Sequence, residues 1–168
     1  MKATMRAIVI EAPGGVEVMQ LRDVPLPEKR PNDVLIRVEA CGVCFHDVVT
    51  RNGVMRRGIK MPLIPGHEVS GIVEGVGALV RGFKSGDRVT TVQRRHICGH
   101  CGYCRSGRET SCGEREFLGD IGLNGGYAEY VAVEDDNVCM VPLGVPLNQA
   151  AIVACAIGTE LNAVRDVA

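Results

Sequence analysis

Cys98-Gly-His-Cys101-Gly-Tyr-Cys104-Arg-Ser-Gly-Arg-Glu-Thr-Ser-Cys112 sets four thiols at the spacing C-x2-C-x2-C-x7-C, with Gly99, Gly102, Gly107 and Gly113 between or beside them. Sulfurs at this spacing can close around one tetrahedral Zn²⁺ at about 2.3 Å each, and the glycines allow the tight turns. Four protein ligands leave no open coordination position, so such a site builds structure and does no chemistry on a substrate. An iron–sulfur cluster also takes four cysteines, and disulfides are the third option. The N-terminal residues MKATMRAIVIEAPGG hold an apolar run too short for an export signal. That argues against disulfides and predicts a reducing, cytoplasmic setting.

A second set of candidates is scattered: Cys41, Cys44, Cys139, Cys155, His46, His67, His96 and His100. Cys44-Phe45-His46-Asp47 leads into a single helical turn, Asp47 to Arg51. Gly66-His67-Glu68 follows Pro65 at the start of a strand, and Cys155 falls in an Ala-rich helix. A catalytic zinc draws three ligands from distant elements and leaves the fourth position to water or substrate. Asp47 is placed to hold a ligand histidine by its free ring N–H. Each residue also has an ordinary reading. A cysteine in an Ala-rich helix can be a small buried hydrophobe, Cys41-x-x-Cys44 a redox pair or nothing, and a histidine beside glutamate a solvated pair. Spacing alone leaves these alternatives open.

The elements that must position these groups read as β over the first two-thirds of the chain. Runs rich in β-branched residues occur at Arg6–Ile10, Val16–Val24, Val34–Ala40, Val69–Val76, Arg88–Val92, Tyr127–Val133 and Val138–Val141, separated by Pro- and Gly-rich turns. In Val34-Leu35-Ile36-Arg37-Val38-Glu39 the apolar and polar residues alternate, as on a half-buried strand. Many short strands with 21 glycines predict a compact barrel or sandwich. The cysteine lobe, about 94–114, has no hydrophobic pattern of its own and needs its metal to hold a shape. From Pro146 the chain turns Ala-rich and helical, and Thr159 is placed to cap a second helix. A net charge of −1 gives no case for nucleic acid or a charged membrane surface, and no stretch approaches a membrane span.

Taken together, these motifs resemble the catalytic domain of the zinc-dependent alcohol dehydrogenases, in the medium-chain dehydrogenase/reductase family. Gly66-His67-Glu68-x-x-Gly71-x5-Gly77-x2-Val80 is similar to the family's zinc signature at every fixed position. Cys41-Gly-Val-Cys44, Lys84-Ser-Gly-Asp-Arg-Val89, the four-cysteine lobe and Gly125-Gly126-Tyr127-Ala128-Glu129-Tyr130 fall in the family's order. The resemblance covers nearly the whole chain. It implies a GroES-like, partly open β-barrel over 1–168, with a zinc lobe and C-terminal helices over about 146–168. It also implies two zincs: a catalytic one on Cys44, His67 and Cys155, and a structural one on Cys98, Cys101, Cys104 and Cys112. Glu68 matches an acid that can approach the first metal, Asp47 a carboxylate behind the histidine, and Thr159 a threonine beside the nicotinamide ring. Cys41 and Cys139 match no ligand and read as small packing residues.

The implied activity is oxidation of a small alcohol, or reduction of an aldehyde or ketone, with NAD or NADP. His46 stands where the family usually has Ser or Thr relaying the proton. A histidine can pass that proton too, or it can be a bulkier pocket wall with the relay rerouted through water. Arg94 lies near an apolar pocket position of the family, where a positive charge would favour a polar or acidic substrate. The family's Rossmann domain, with its G-x-G-x-x-G, has no counterpart here, and Gly119-x-x-Gly122-x-x-Gly125-Gly126 precedes a strand. The chain alone is therefore expected to hold metal and turn over nothing. The other reading is a standalone zinc-binding module. Family members are commonly dimers or tetramers, so the resemblance allows a homo-oligomer.

Overall fold

Val34, Ile36 and Val38 carry the clearest alternation in the sequence, and the strand they form lies at the heart of the main sheet. A computed structural model describes residues 3–54 and 59–167. Its strands are β1 (Thr4–Val9), β2 (Gln20–Pro25), β3 (Asp33–Gly42), β4 (Glu68–Val76), β5 (Arg88–Thr91), β6 (Arg94–His96), β7 (Glu116–Leu118), β8 (Gly122–Leu123), β9 (Tyr130–Glu134) and β10 (Val138–Met140). The helices are α1 (Phe45–Arg51), α2 (Gly102–Arg105), α3 (Leu147–Ala150) and α4 (Gly158–Val167).

Five strands form one antiparallel sheet in the order β10-β5-β4-β3-β9. Register shifts between Leu35 and Ile36 and between Val38 and Ala40 bend β3 against β4 and curl the sheet into a half-barrel. Val34, Ile36, Val69, Val73, Val89 and Val133 fill its concave side, each at most 1% exposed. The hairpin of β1 and β2 joins through Ile8 N–H to Tyr127 O at 2.8 Å and Ile10 N–H to Leu63 O at 2.9 Å. Leu35 is buried as well, so the start of β3 is covered on both faces instead of one. The only parallel strand pair among the described residues is the short β7–β8. No doubly wound nucleotide-binding sheet occurs among them. No described helix is long and apolar enough to cross a membrane.

Three expectations are corrected. Val16–Val24 is not one strand: Val16–Val18 form a 3₁₀ turn, because the Glu17 carboxylate accepts the Gly15 N–H at 2.8 Å and turns the chain locally. The Ala-rich helix from Pro146 is broken after Ala150, where the Thr90 hydroxyl takes the Ala150 carbonyl at 3.0 Å. A 3₁₀ turn at Ala151–Val153 follows, and Cys155 lies in a turn, not a helix. Thr159 is inside the first turn of α4, its N–H bonded to Cys155 O at 3.2 Å, and does not cap it. The cysteine lobe contains α2 and a 3₁₀ turn at Glu109–Ser111, and it is rooted on the antiparallel pair β6–β7.

Gly71 shows how tightly the two central strands approach. A Cβ there would lie 2.1 Å from the Arg37 carbonyl oxygen, whereas one on Gly113, in the lobe, would meet nothing within 4 Å. Gly71→Ala is therefore expected to lower stability by about 2–3 kcal/mol and Gly113→Ala to stay within about 0.5 kcal/mol. Urea denaturation of the two variants measures this, and equal midpoints would contradict the packing described.

Candidate metal centre

The Cys44 backbone and side chain start α1. The Cys44 sulfur accepts the His46 N–H at 3.5 Å, and Asp47 Oδ2 accepts the Cys44 N–H at 3.0 Å. This is a capping box with a thiol in the place of the usual hydroxyl, and it fixes the direction of the Cys44 sulfur.

The chain enters β4 through Gly66, at φ +97°, where a Cβ would press into the Tyr127 ring at 2.6 Å. Only glycine accepts that backbone without strain, and it delivers His67 and Glu68 to the interior, 3% and 2% exposed. Cys155 arrives from the turn before α4, with its sulfur 3.9 Å from that of Cys44. The separation is too long for a disulfide. Two sulfurs on one tetrahedral zinc at about 2.3 Å stand about 3.8 Å apart, so the spacing suits a shared cation.

The donor atoms of Cys44, His67, Glu68 and Cys155 all lie within 4.8 Å of one another. Among the described residues neither ring nitrogen of His67 has a hydrogen-bond partner, although both are buried. Asp47 Oδ1 faces His67 Nδ1 at 3.3 Å, close enough for electrostatic attraction but out of hydrogen-bond alignment. A buried imidazole with both nitrogens orphaned costs free energy unless something satisfies it. A cation held by Nε2, with Asp47 behind Nδ1, would do so.

Asp47 is itself buried and accepts from the Cys44 N–H, the Gly66 N–H at 3.2 Å and the Tyr127 hydroxyl at 2.9 Å. Burial pushes its carboxyl up, but His67, the Cys44 N–H and the Tyr127 hydroxyl together outweigh burial and hold it below the ordinary range. The site is short of positive charge. Burial and the neighbouring Cys44 push the Cys155 thiol up to about 11, and burial pushes the Tyr127 hydroxyl up as well.

In the lobe, the sulfurs of Cys98, Cys101, Cys104 and Cys112 also fall within 4.8 Å of one another. Cys98–Cys104 stand at 3.9 Å and Cys101–Cys104 at 3.5 Å, unbonded. Backbone N–H groups of Cys98, Cys101 and Cys104 point at sulfurs of the set at 3.3–3.5 Å, an arrangement that favours thiolates. The Cys98 N–H, foremost, draws the Cys112 thiol down to about 7.

His46 lies edge-on to His67, ring centroids 5.1 Å apart, and its Nε2 is 2.5 Å from Asp120 Oδ2. Both histidines line a cavity of about 140 Å³ with Gln93, Arg115, Phe117 and Asp120. A larger hollow of about 570 Å³ lies against β1, β2 and β9 and holds none of the candidate residues. Asp120 has no signal in the sequence, since it lies 74 residues from His46 in a glycine-rich loop. Arg94 does not line the cavity: it pairs with Glu109 at 3.0 Å and braces the lobe, and the cation of the cavity wall is Arg115. Cys41 packs against the core, its thiol pushed up to about 12 by burial. Cys139 is exposed on the edge strand β10, so it is not a packing residue. Thr159 is exposed one turn after Cys155.

A curled antiparallel sheet that brings Cys, His and Cys together from three segments, with a four-cysteine lobe beside it, defines a β domain with two groups of side chains that could hold metal ions. Residues 30–143 match the family described as "Alcohol dehydrogenase GroES-like domain". An alcohol dehydrogenase of Geobacillus stearothermophilus is 39% identical over 161 residues, covering 96% of this chain and 47% of that protein. The crystal structure of AibC superposes with a TM-score of 0.89 at 40% identity, over 99% of this chain and 46% of the other. A cobalt- and zinc-bound thermostable alcohol dehydrogenase from Pyrobaculum aerophilum gives 0.78 at 35% identity, over 90% of this chain and 45% of the other. The chain belongs to the alcohol dehydrogenase GroES-like domain family. It spans about half the length of the relatives it matches.

Because folding lowers the Asp47 pKa, the stabilisation it provides is complete above the ordinary aspartate value of about 4 and is lost as pH falls through the lower folded value. The stability gap between wild type and Asp47→Asn is therefore expected to narrow as pH drops below about 4. Urea unfolding across that range measures it, and a gap that stays constant would contradict this account of Asp47.

Proposed function

We propose that this chain is the zinc-binding catalytic domain of an NAD(P)-dependent alcohol dehydrogenase that interconverts a small alcohol with its aldehyde or ketone. The observation that carries the reading is His67: it is buried with both nitrogens orphaned, inside a cluster with Cys44, Glu68 and Cys155. Cys44, His67 and Cys155 would hold one zinc, and Cys98, Cys101, Cys104 and Cys112 a second, giving two per chain. When bound at the first group, zinc supplies a Lewis acid that polarises the substrate oxygen.

The chain's own residues do the rest. Asp47 orients His67 from behind, and Glu68 adds a carboxylate beside the donors that can approach the metal. The cavity lined by His46, Gln93 and Phe117 receives the substrate, and His46 takes the hydroxyl proton and passes it outward. Thr159, exposed one turn after Cys155, would pack against the nicotinamide, which when bound would supply the hydride acceptor. The nicotinamide is brought by the part of such proteins that this chain does not span. The cysteine content of the sequence is the ground for placing the protein in a reducing, cytoplasmic setting.

Metal analysis of the purified chain tests the ligand sets. Two zincs per chain are expected, falling to one in Cys44→Ser or Cys155→Ser. One zinc in wild type, indifferent to both substitutions, would overturn the reading. In the whole protein that carries this domain, His46→Ala is expected to lower kcat for NAD(P)-linked alcohol oxidation by about 10²- to 10⁴-fold. Steady-state absorbance of the reduced cofactor measures it, and an unchanged kcat would remove His46 from the proton path.

A further inference from the structure

Asp120 takes no part in either metal grouping, yet its side chain is among the most deeply placed charges of the fold, at 4% exposure. It sits in the turn between β7 and β8, which is closed by Phe117 N–H to Ile121 O at 2.9 Å and Asp120 N–H to Phe117 O at 3.2 Å. Gly119, just before it, has φ +70°, and a Cβ there would lie 2.6 Å from the Gly66 backbone nitrogen. The turn is thus seated directly on the backbone that delivers His67. The backbone that carries the Asp120 carboxylate is thereby packed against the chain that leads into His67.

Among the described residues, Asp120 Oδ1 is buried with no hydrogen-bond partner, and Oδ2 is hydrogen-bonded to His46 Nε2. The His46 side chain, in contrast, is about one-third exposed and would be free to swing toward solvent without this bond. We infer that Asp120 is the positioning residue for His46: seated on Gly66, its carboxylate accepts the Nε2–H hydrogen bond and holds the imidazole edge-on to His67. The consequence for proton transfer rests on the function proposed above, whereas the positioning stands on the geometry of the loop. A carboxylate that merely filled space or pinned the turn would have no effect on which nitrogen of His46 carries the proton.

Two-bond ¹H–¹⁵N correlation on the histidine-labelled, zinc-loaded chain at mildly alkaline pH tests this. Wild-type His46 is expected as the Nε2–H tautomer with that proton protected from solvent. In Asp120→Ala the proton is expected to exchange on the order of ten- to a hundredfold faster, since a charge-assisted bond is lost. Asp120→Asn keeps a neutral acceptor, so it should retain the tautomer with intermediate protection. Wild-type protection of His46 in Asp120→Ala would overturn the inference. If Asp120→Ala does not fold, wild-type protection in Asp120→Asn would overturn it equally. The visible spectrum of the cobalt(II)-loaded chain separates the two proposals. It should be the same in wild type and the Asp120 variants, because Asp120 is not a ligand. A wild-type spectrum indifferent to Cys155→Ser would defeat the proposed function and leave the His46 result intact.

Discussion

The two oxygens of Asp47 join three stretches of chain that are remote in sequence. Oδ2 takes the Cys44 N–H and the Tyr127 hydroxyl, while Oδ1 takes the Gly66 N–H and faces His67. Through it the start of α1, the approach to β4 and the strand-leading Tyr127 share one buried charge. Isolating a carboxylate in the interior costs several kcal/mol, so it persists only where donors surround it. The consequence for the site is directional: the Cys44 sulfur and the His67 ring are both aimed by the same group. Gly66 is part of the same constraint, because a side chain there would displace Tyr127.

The electrostatics around this carboxylate are one-sided. Cys44, Cys155, Glu68 and Asp47 lie together, and among the described residues the side chains beside them that can carry a positive charge are the histidines His67 and His46. Burial and mutual repulsion hold the Cys155 proton on well above neutrality, and burial does the same for Cys41 nearby. Such a cluster is unfavourable as it stands and becomes favourable around a divalent cation, which deprotonates a coordinating thiol outright. The lobe differs in that backbone N–H groups draw the Cys101 and Cys112 thiols down, while burial pushes that of Cys104 up to about 12. One site is built by a folded scaffold and the other by a short loop on a narrow ribbon.

Much of this was legible in the sequence. The runs Val34–Ala40 and Val69–Val76 form strands at nearly the expected bounds, although burial on both faces at the start of each is more than alternation alone foretells. The four cysteines of the lobe converge because their spacing is local. Val16–Val24 misled because a Glu17 side chain can outbid strand pairing for the Gly15 N–H, a choice that β-branched content does not reveal. The helix at Pro146 breaks because Thr90, sixty residues away, takes the Ala150 carbonyl. Asp120 was invisible for the same reason: its partner His46 is set by tertiary approach, not by spacing. The convergence of Cys44, His67 and Cys155 was expected from the family resemblance, not from their separation in sequence.

The central claim is that these three side chains hold one cation. Anomalous diffraction at the zinc edge, from crystals of the zinc-loaded chain, tests it directly. The account predicts a peak about 2.3 Å from the sulfurs of Cys44 and Cys155 and about 2.0–2.1 Å from a nitrogen of His67, in addition to the peak within the four-cysteine lobe. A lobe peak alone, with Cys44, His67 and Cys155 turned away from one another, would contradict it.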